Sequence, residues 1–424
     1  MKTIRNPSKP SLQDTPRDRR VLAVVGDSQV GLWLVRCLGR NGLTVFTVCN
    51  TVNGLPAYSK HSRGAWALEN VQDDRAFLDA VDGLARQLDV GSIMTIAEEY
   101  HLALIEGRER FEPGIRVLSP PAGPFAKAVD KHMIHEVCQQ IGVPVAKGMT
   151  LDRLMQAGGD GLRFPLVMRT RQQNGPNVHR QTPWKAAYAS DKARLQELYE
   201  AVGPIADNVL VQEYHPGVED YVQVLMHRGE AYAVGEYLGE HHMPLAGGVT
   251  VQRITCRHEP VIEDAIRLLK AIGWEGIAGV QFHYDPATGQ YIFLEINPRF
   301  IGGLPTIIMA GFDAPFLLWQ SHFEPEKMRP PAYRLGVRTR ILGGDANWML
   351  GMVRGDELPP GQHRIGKLSA IGRFLWNCGP WTKEDTFSWR DPKPFLMDLK
   401  HMVRRLGSKS VDIIGVSKSQ GGPR

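Results

Sequence analysis

Cysteine is scarce in this chain of 424 residues, and the five present share no short spacing: Cys37, Cys49, Cys138, Cys256 and Cys378. Their number is odd and no CxxC occurs, so neither a disulfide framework nor a zinc site follows from spacing, and a reducing cytoplasm is the expected compartment. No apolar stretch reaches membrane-spanning length, and the N-terminus lacks the hydrophobic core of a signal peptide. A strong charge of one sign is missing too. The formal net charge is +5, with much of the excess near the two ends, for example Arg19, Arg20, Arg404 and Arg405. That argues only weakly for nucleic acid and no better for an anionic membrane surface; solvated tails are the better reading, with no nucleic-acid partner and no membrane span expected. No repeat or low-complexity tract is present.

What remains is ordinary globular composition, 43% hydrophobic and 22% charged, long enough for two or three domains. Residues 1–20 are polar and proline-interrupted, which predicts a disordered lead-in. "RRVLAVVGDSQVGLWLVRCLGRNGLTVFTVC" then reads as strand, glycine turn, amphipathic helix and strand, and the rhythm repeats up to about residue 122. A parallel α/β domain over 21–122 is expected. The turn "VVGDSQVG" has Ser28 where a dinucleotide fingerprint needs its middle glycine, so it reads as a structural turn and disfavours a dehydrogenase.

Beyond residue 122 the pattern changes to a helix, short strands and hairpins. "GIAGVQFHYD", the turn "PATGQ" and "YIFLEINPRF" predict a β-hairpin. Period-two geometry puts Glu295, Asn297 and Arg299 of its second strand on one face. With Gln281 on the facing strand, three oxygen-bearing side chains can gather to hold a hard cation such as Mg²⁺, and Arg299 can reach a phosphate beside it. The bland alternative for an acid and an amide on a strand is a solvated face. The apolar reverse side of this strand favours the metal reading, because a buried acid beside an arginine needs a partner.

"GVQFHYDPATGQYIFLEINPRF" resembles the metal-binding hairpin of the ATP-grasp superfamily, in the Gln/Glu/Asn version of carbamoyl-phosphate synthetase large chains. "VDKHMIHEVCQQIGVPVAKGMT", "FPLVMR" and "VLVQEYHPGVEDY" extend the resemblance over about residues 21–345. It implies a fold of mixed class, α/β and α+β: a parallel α/β pre-ATP-grasp domain (21–122), an ATP-grasp domain with antiparallel sheets (123–328) and a C-terminal extension (329–424). It also implies residue roles. Lys131 and Arg169 would contact nucleotide phosphates, the backbone from Glu213 through Tyr214 to His215 would meet adenine, and Glu219 or Asp220 would meet the ribose. Gln281, Glu295 and Asn297 would be metal ligands, and Arg299 would neutralise the transferred phosphate. Lys131 can also be read as a plain first-turn helix residue, and Glu219 and Asp220 as solvated turn acids. The chain departs from the family in two places. Arg169 stands where a lysine is usual, and the loop "TRQQNGPN" has one glycine, Gly175, where the phosphate-covering loop is normally glycine-rich.

The implied activity is an ATP-dependent, ADP-forming ligase joining a small-molecule carboxylate to an amine or thiol through an acylphosphate. One or two Mg²⁺ ions would assist, and Mn²⁺ could replace them. The acceptor site is expected near "EHHMPLAGGVTVQR", with Gly247 and Gly248 admitting substrate to the backbone and Arg253 holding a carboxylate. His241 and His242 are candidate bases, although adjacent histidines in a loop are more often solvated. The alternatives are a bicarbonate-activating carboxylase and a non-catalytic ATP-binding protein. Assembly as a homodimer is left open.

Overall fold

Strand β1 (Lys2–Arg5) and the strands β2 (Arg20–Val24), β3 (Thr44–Cys49), β4 (Ser62–Ala67), β5 (Ser92–Thr95) and β6 (Arg116–Val117) form one sheet. The computed structural model describes residues 1–6, 15–69, 71, 73–170 and 186–407, with the side chains of 404–407 excepted. The sheet order is β1-β4-β3-β2-β5-β6, parallel throughout except for the antiparallel β1–β4 edge. Every residue of β3 is buried, Thr44 and Thr47 included, as a central parallel strand covered on both faces should be. Alternate side chains go to two cores. Leu22, Val24, Phe46 and Val48 pack on Phe77 and Val81 of helix Asp74–Gln87, while Val21, Ala23 and Val45 join Leu34 and Leu38 of helix Gln29–Arg40.

The glycine turn is structural, as expected. Gly26 lies at φ +60°, and a Cβ on Gly31 would sit 2.5 Å from the Val25 carbonyl oxygen. Asp27 accepts the Asn50 and Thr51 N–H groups and fixes the next loop. The disordered lead-in expected over residues 1–20 is corrected at Lys2–Arg5, which adds an edge strand to β4. Composition misses it because an edge strand needs only main-chain pairing, and polar side chains are common there.

A second, antiparallel sheet has the order β7-β10-β8-β9, from β7 (Gly148–Thr150), β8 (Leu166–Thr170), β9 (Ala187–Ala189) and β10 (Val209–Glu213). Leu166 and Met168 of β8 face helices Leu151–Gln156 and Lys192–Val202, which leaves Val167 and Arg169 on the opposite face.

The third sheet has seven strands in the order β15-β14-β11-β12-β13-β16-β17. They are β11 (Val218–His227), β12 (Glu230–Met243), β13 (Val249–Thr255), β14 (Gly276–Tyr284), β15 (Tyr291–Asn297), β16 (Arg338–Arg340) and β17 (Thr382–Glu384). Val222, Val224, Val280, Phe282, Phe293 and Ile296 pack on helices Lys131–Ile141 and Glu259–Ala271. The other face looks toward the second sheet and forms a cavity with it. The architecture is the mixed α/β one expected from the sequence, with a parallel sheet followed by antiparallel ones. The segment past residue 329 is part of the third sheet: β16 pairs antiparallel with β13 and parallel with β17. Among the described residues no helix is long and apolar enough to cross a membrane.

Candidate functional site

Between the second and third sheets lies a cavity of about 330 Å³. The β14–β15 hairpin forms its floor. Gln281 stands directly opposite Glu295, and Gly279 opposite Asn297, so all three oxygen donors and the following Arg299 line one space. Lys131 reaches the same point from the first turn of helix Lys131–Ile141. Asp130 caps that helix, accepting from the His132 and Met133 N–H groups at 2.9 and 3.2 Å. The cap fixes where the helix begins, and Lys131 Nζ sits 3.2 Å from Glu295 Oε2. Arg169, on the cavity face of β8, donates to Gln212 Oε1 at 3.2 Å, and its buried Nε has no partner among the described residues.

Electrostatics set the state of the floor. Burial alone would raise the Glu295 carboxyl, and Lys131, Arg169 and Arg299 outweigh it and hold the group below its ordinary value. Glu295 is therefore an ionised carboxylate beside two neutral amides, which is the chemistry of a hard-cation site.

The segment leaving β10 crosses the cavity mouth. The Glu213 and Tyr214 N–H groups are committed to Lys147 and Pro165 oxygens at 2.9 Å each. The Glu213 carboxylate is engaged by Arg163 through the backbone N–H, Nε and Nη2 at 3.1, 3.2 and 3.0 Å. His215 O accepts from His283 Nδ1 at 3.0 Å. Glu213, Tyr214 and His215 all line the cavity.

Glu219 and Asp220, left as alternatives by the sequence, point to opposite faces of β11. Glu219 lines the cavity, where His242 Nε2 lies 3.0 Å from it and Tyr221 donates its hydroxyl to it. Burial would raise its carboxyl, but His242, then Tyr221 and His283, bring it down to about 2. Asp220 is fully buried on the reverse face against His258 and Glu236, so its expected role at a ribose is corrected. The cause is the two-residue period of a strand.

Arg253 also departs from expectation. It lines the cavity, but its guanidinium already holds a carboxylate of this chain, Asp385, at 2.6 Å, and bonds the Thr250 carbonyl. The two histidines are not solvated loop residues either. Both lie on β12. His241 is buried, 2.6 Å from Asp345 and stacked on Trp348 with ring centroids 3.4 Å apart. Gly247 and Gly248 do line the cavity mouth. The glycine-poor loop over 171–177 lies outside the described residues. Sequence reasoning missed Tyr188, Tyr221, Thr250 and His283, all of which line the cavity. The alternation Glu219, Tyr221, Gln223 was the available signal.

Residues 206–343 match the family described as ATP-grasp in the biosynthetic pathway with Ter operon. That span holds the cavity mouth, the hairpin and β16. The carbamoyl phosphate synthase large chain of Thermus thermophilus is 25% identical over 251 residues, which is 55% of this chain and 23% of that protein. The chain thus spans under a quarter of the length of that relative. The D-alanine–D-alanine ligase of Beijerinckia indica is 28% identical over 189 residues, covering 41% of this chain and 59% of the ligase. Among solved structures, the biotin carboxylase of Campylobacter jejuni superposes with a TM-score of 0.60 at 16% identity, covering 76% of this chain and 74% of its own. The L-amino acid ligase of Bacillus licheniformis does so with a TM-score of 0.54 at 19% identity, covering 74% and 78%. The chain has the ATP-grasp fold. The second and third sheets form two jaws, and the cavity with its cations and hairpin donors lies between them.

Proposed function

We propose that the chain is an ATP-dependent, ADP-forming ligase that activates a small-molecule carboxylate for attack by an amine or thiol. The observation that carries this reading is the convergence of Lys131, Arg169 and Arg299 with Gln281, Glu295 and Asn297 in one cavity between the jaws. Three cations in so small a space suit a polyanion. The neighbouring oxygen donors suit the hard cation that accompanies it.

The nucleotide enters at the mouth. The base lies against the Glu213–His215 segment that lines the cavity, and Glu219 accepts from the ribose hydroxyls. Lys131 and Arg169 hold the terminal phosphates, and Arg299 lies where the transferred phosphoryl group gathers charge. Gln281, Glu295 and Asn297 fit one or two Mg²⁺ ions, or Mn²⁺ in their place, since one ionised carboxylate stands opposite a neutral amide. When bound there, the cation offsets the charge of the phosphates. A carboxylate oxygen of the substrate attacks the γ-phosphorus, the bond to the β-phosphate oxygen breaks, and ADP leaves. The amine or thiol then attacks the acyl carbon, phosphate departs with the bonding pair, and the nucleophile loses its proton. The chain's part is positioning and charge neutralisation, and no protein nucleophile is needed.

Product analysis tests the reading: nucleotide release is measured with a panel of carboxylates paired with amines, and hydroxylamine is added to trap the activated acid. ADP with a hydroxamate supports the proposal and names the acid. AMP with pyrophosphate would overturn it. ATP turnover with bicarbonate alone would favour a carboxylase on the same scaffold, and the absence of any turnover would point to a nucleotide-binding protein.

A further inference from the structure

Behind Glu219, on the reverse face of β11, four potential ligands meet. Asp220 comes from β11, Glu236 from β12, and Cys256 and His258 from the turn just past β13. One donor atom from each lies within 4.8 Å of all the others. His258 Nδ1 is 2.9 Å from Asp220 Oδ2 and 2.9 Å from Glu236 Oε1. Main-chain bonds hold the turn in place: Cys256 N–H donates to the Glu236 carbonyl at 3.2 Å, and His258 N–H to Glu236 Oε2 at 2.7 Å. Tyr284 stacks on the imidazole with ring centroids 4.1 Å apart, which fixes the ring plane.

Ion pairing does not satisfy this cluster. Asp220 is 0% exposed and Glu236 1%, and Asp220 Oδ1 is buried with no hydrogen-bond partner among the described residues. A lone buried carboxylate oxygen is costly, and one imidazolium supplies a single positive charge. Burial, with Glu236 beside it, pushes the Asp220 carboxyl up to about 8, so without a metal a proton stands in for the second positive charge. A divalent ion supplies two. Sulfur, imidazole nitrogen and two carboxylates form a four-donor set of mixed softness, which suits zinc and not magnesium. Tetrahedral bonds of about 2.0–2.3 Å place donors roughly 3.3–3.8 Å apart, so the cluster needs only small side-chain adjustments to close. His258 keeps 22% of its side chain exposed, which gives an ion a way in.

We propose that Asp220, Glu236, Cys256 and His258 bind one borderline-soft divalent metal ion of the zinc type. The ion would pin β11, β12 and the end of β13 together behind the strand that carries Glu219. This site is separate from the hairpin donors, which are all oxygen.

The test uses the full chain, stripped with a chelator and titrated with Co²⁺ as a spectroscopic probe. One equivalent is expected to bind with tetrahedral visible bands and a near-ultraviolet thiolate-to-metal band, and Zn²⁺ should displace it. Cys256→Ser, checked by circular dichroism, should lose the thiolate band and bind at least tenfold more weakly. Asp220→Asn provides a second variant, with the thiolate band kept and affinity reduced. No stoichiometric binding, or a thiolate band that survives in Cys256→Ser, would overturn the proposal. Binding at the hairpin alone would also overturn it, because that site offers no sulfur and gives no such band.

Discussion

Glu295 is held ionised in a half-buried place by Lys131, Arg169 and Arg299. Glu295→Gln preserves the shape and removes the charge, so Mg²⁺-dependent turnover should fall by at least a hundredfold while circular dichroism stays native. Wild-type rate in this variant would remove the hairpin from the chemistry. Two buried histidines make a different prediction. Burial, then Arg299, lowers His101 to about 3, and burial, then Arg169 and His132, lowers His135 to about 4. The unfolded chain titrates these groups near 6.5, so between pH 6.5 and 4 it binds more protons than the folded chain, and stability falls as pH falls. At pH 5 each should cost on the order of 1–2 kcal/mol. Buried carboxyls with raised values, such as Asp220 and Glu384, act in the opposite direction, so the readout is a difference: from pH 7 to 5, His135→Gln should gain stability relative to wild type. A parallel slope in that variant would show that His135 is not a source.

Elements decide which residues a sequence can place. The hairpin was legible because strand period and a short turn fix Gln281, Glu295 and Asn297 locally, and their convergence needed no knowledge of the rest of the chain. Lys131 was legible for a similar reason, since Asp130 announces the helix start. Glu219 and Asp220 were not separable, because an apolar-poor strand start does not say which face meets the core. The Asp220 cluster was invisible to cysteine spacing because its ligands come from two strands and the turn after a third, and share no CxxC. At this scale the cap matters most. Asp130→Ala removes the acceptor for two N–H groups and should cost about 1 kcal/mol. It also loosens the first turn, so nucleotide affinity should weaken several-fold, and Asp130→Asn should restore most of both. Unchanged affinity in the alanine variant, by titration calorimetry, would mean that Lys131 is aimed by something other than its cap. Arg169 belongs here as well, since β8 delivers it to the cavity. Arg169→Lys should retain substantial turnover and Arg169→Met should bind ATP more weakly.

For the molecule as a whole, the segment from β17 to residue 391 ties the jaws to the first sheet. Asp385 holds Arg253 at 2.6 Å, while its carbonyl accepts from the Trp33 indole. Six residues on, Asp391 takes Arg36 at 2.9 Å and the Ser59 hydroxyl at 2.7 Å, with both charged side chains at most 4% exposed. Arg253 and Asp385 are 132 positions apart. That is why the sequence offered Arg253 to a substrate when its carboxylate is internal. Two neighbouring anions thus do different jobs, and they can be separated. Removing one partner of a buried pair strands the other charge and costs about 3–5 kcal/mol. Asp391→Ala and Asp385→Ala should therefore both lower the denaturation midpoint strongly. Among the described residues Asp391 bonds Arg36, Ser59 and Lys60, none of which lines the cavity, so its variant, assayed where it remains folded, should keep the wild-type KM for every substrate. Asp385→Ala frees the Arg253 guanidinium at the cavity wall, so KM for the carboxylate substrate should change while KM for ATP stays close to wild type. Wild-type KM values in both variants would make the Arg253 pair purely structural, and a matching rise in both would mean that the first sheet, not Arg253, controls the acceptor side of the cavity.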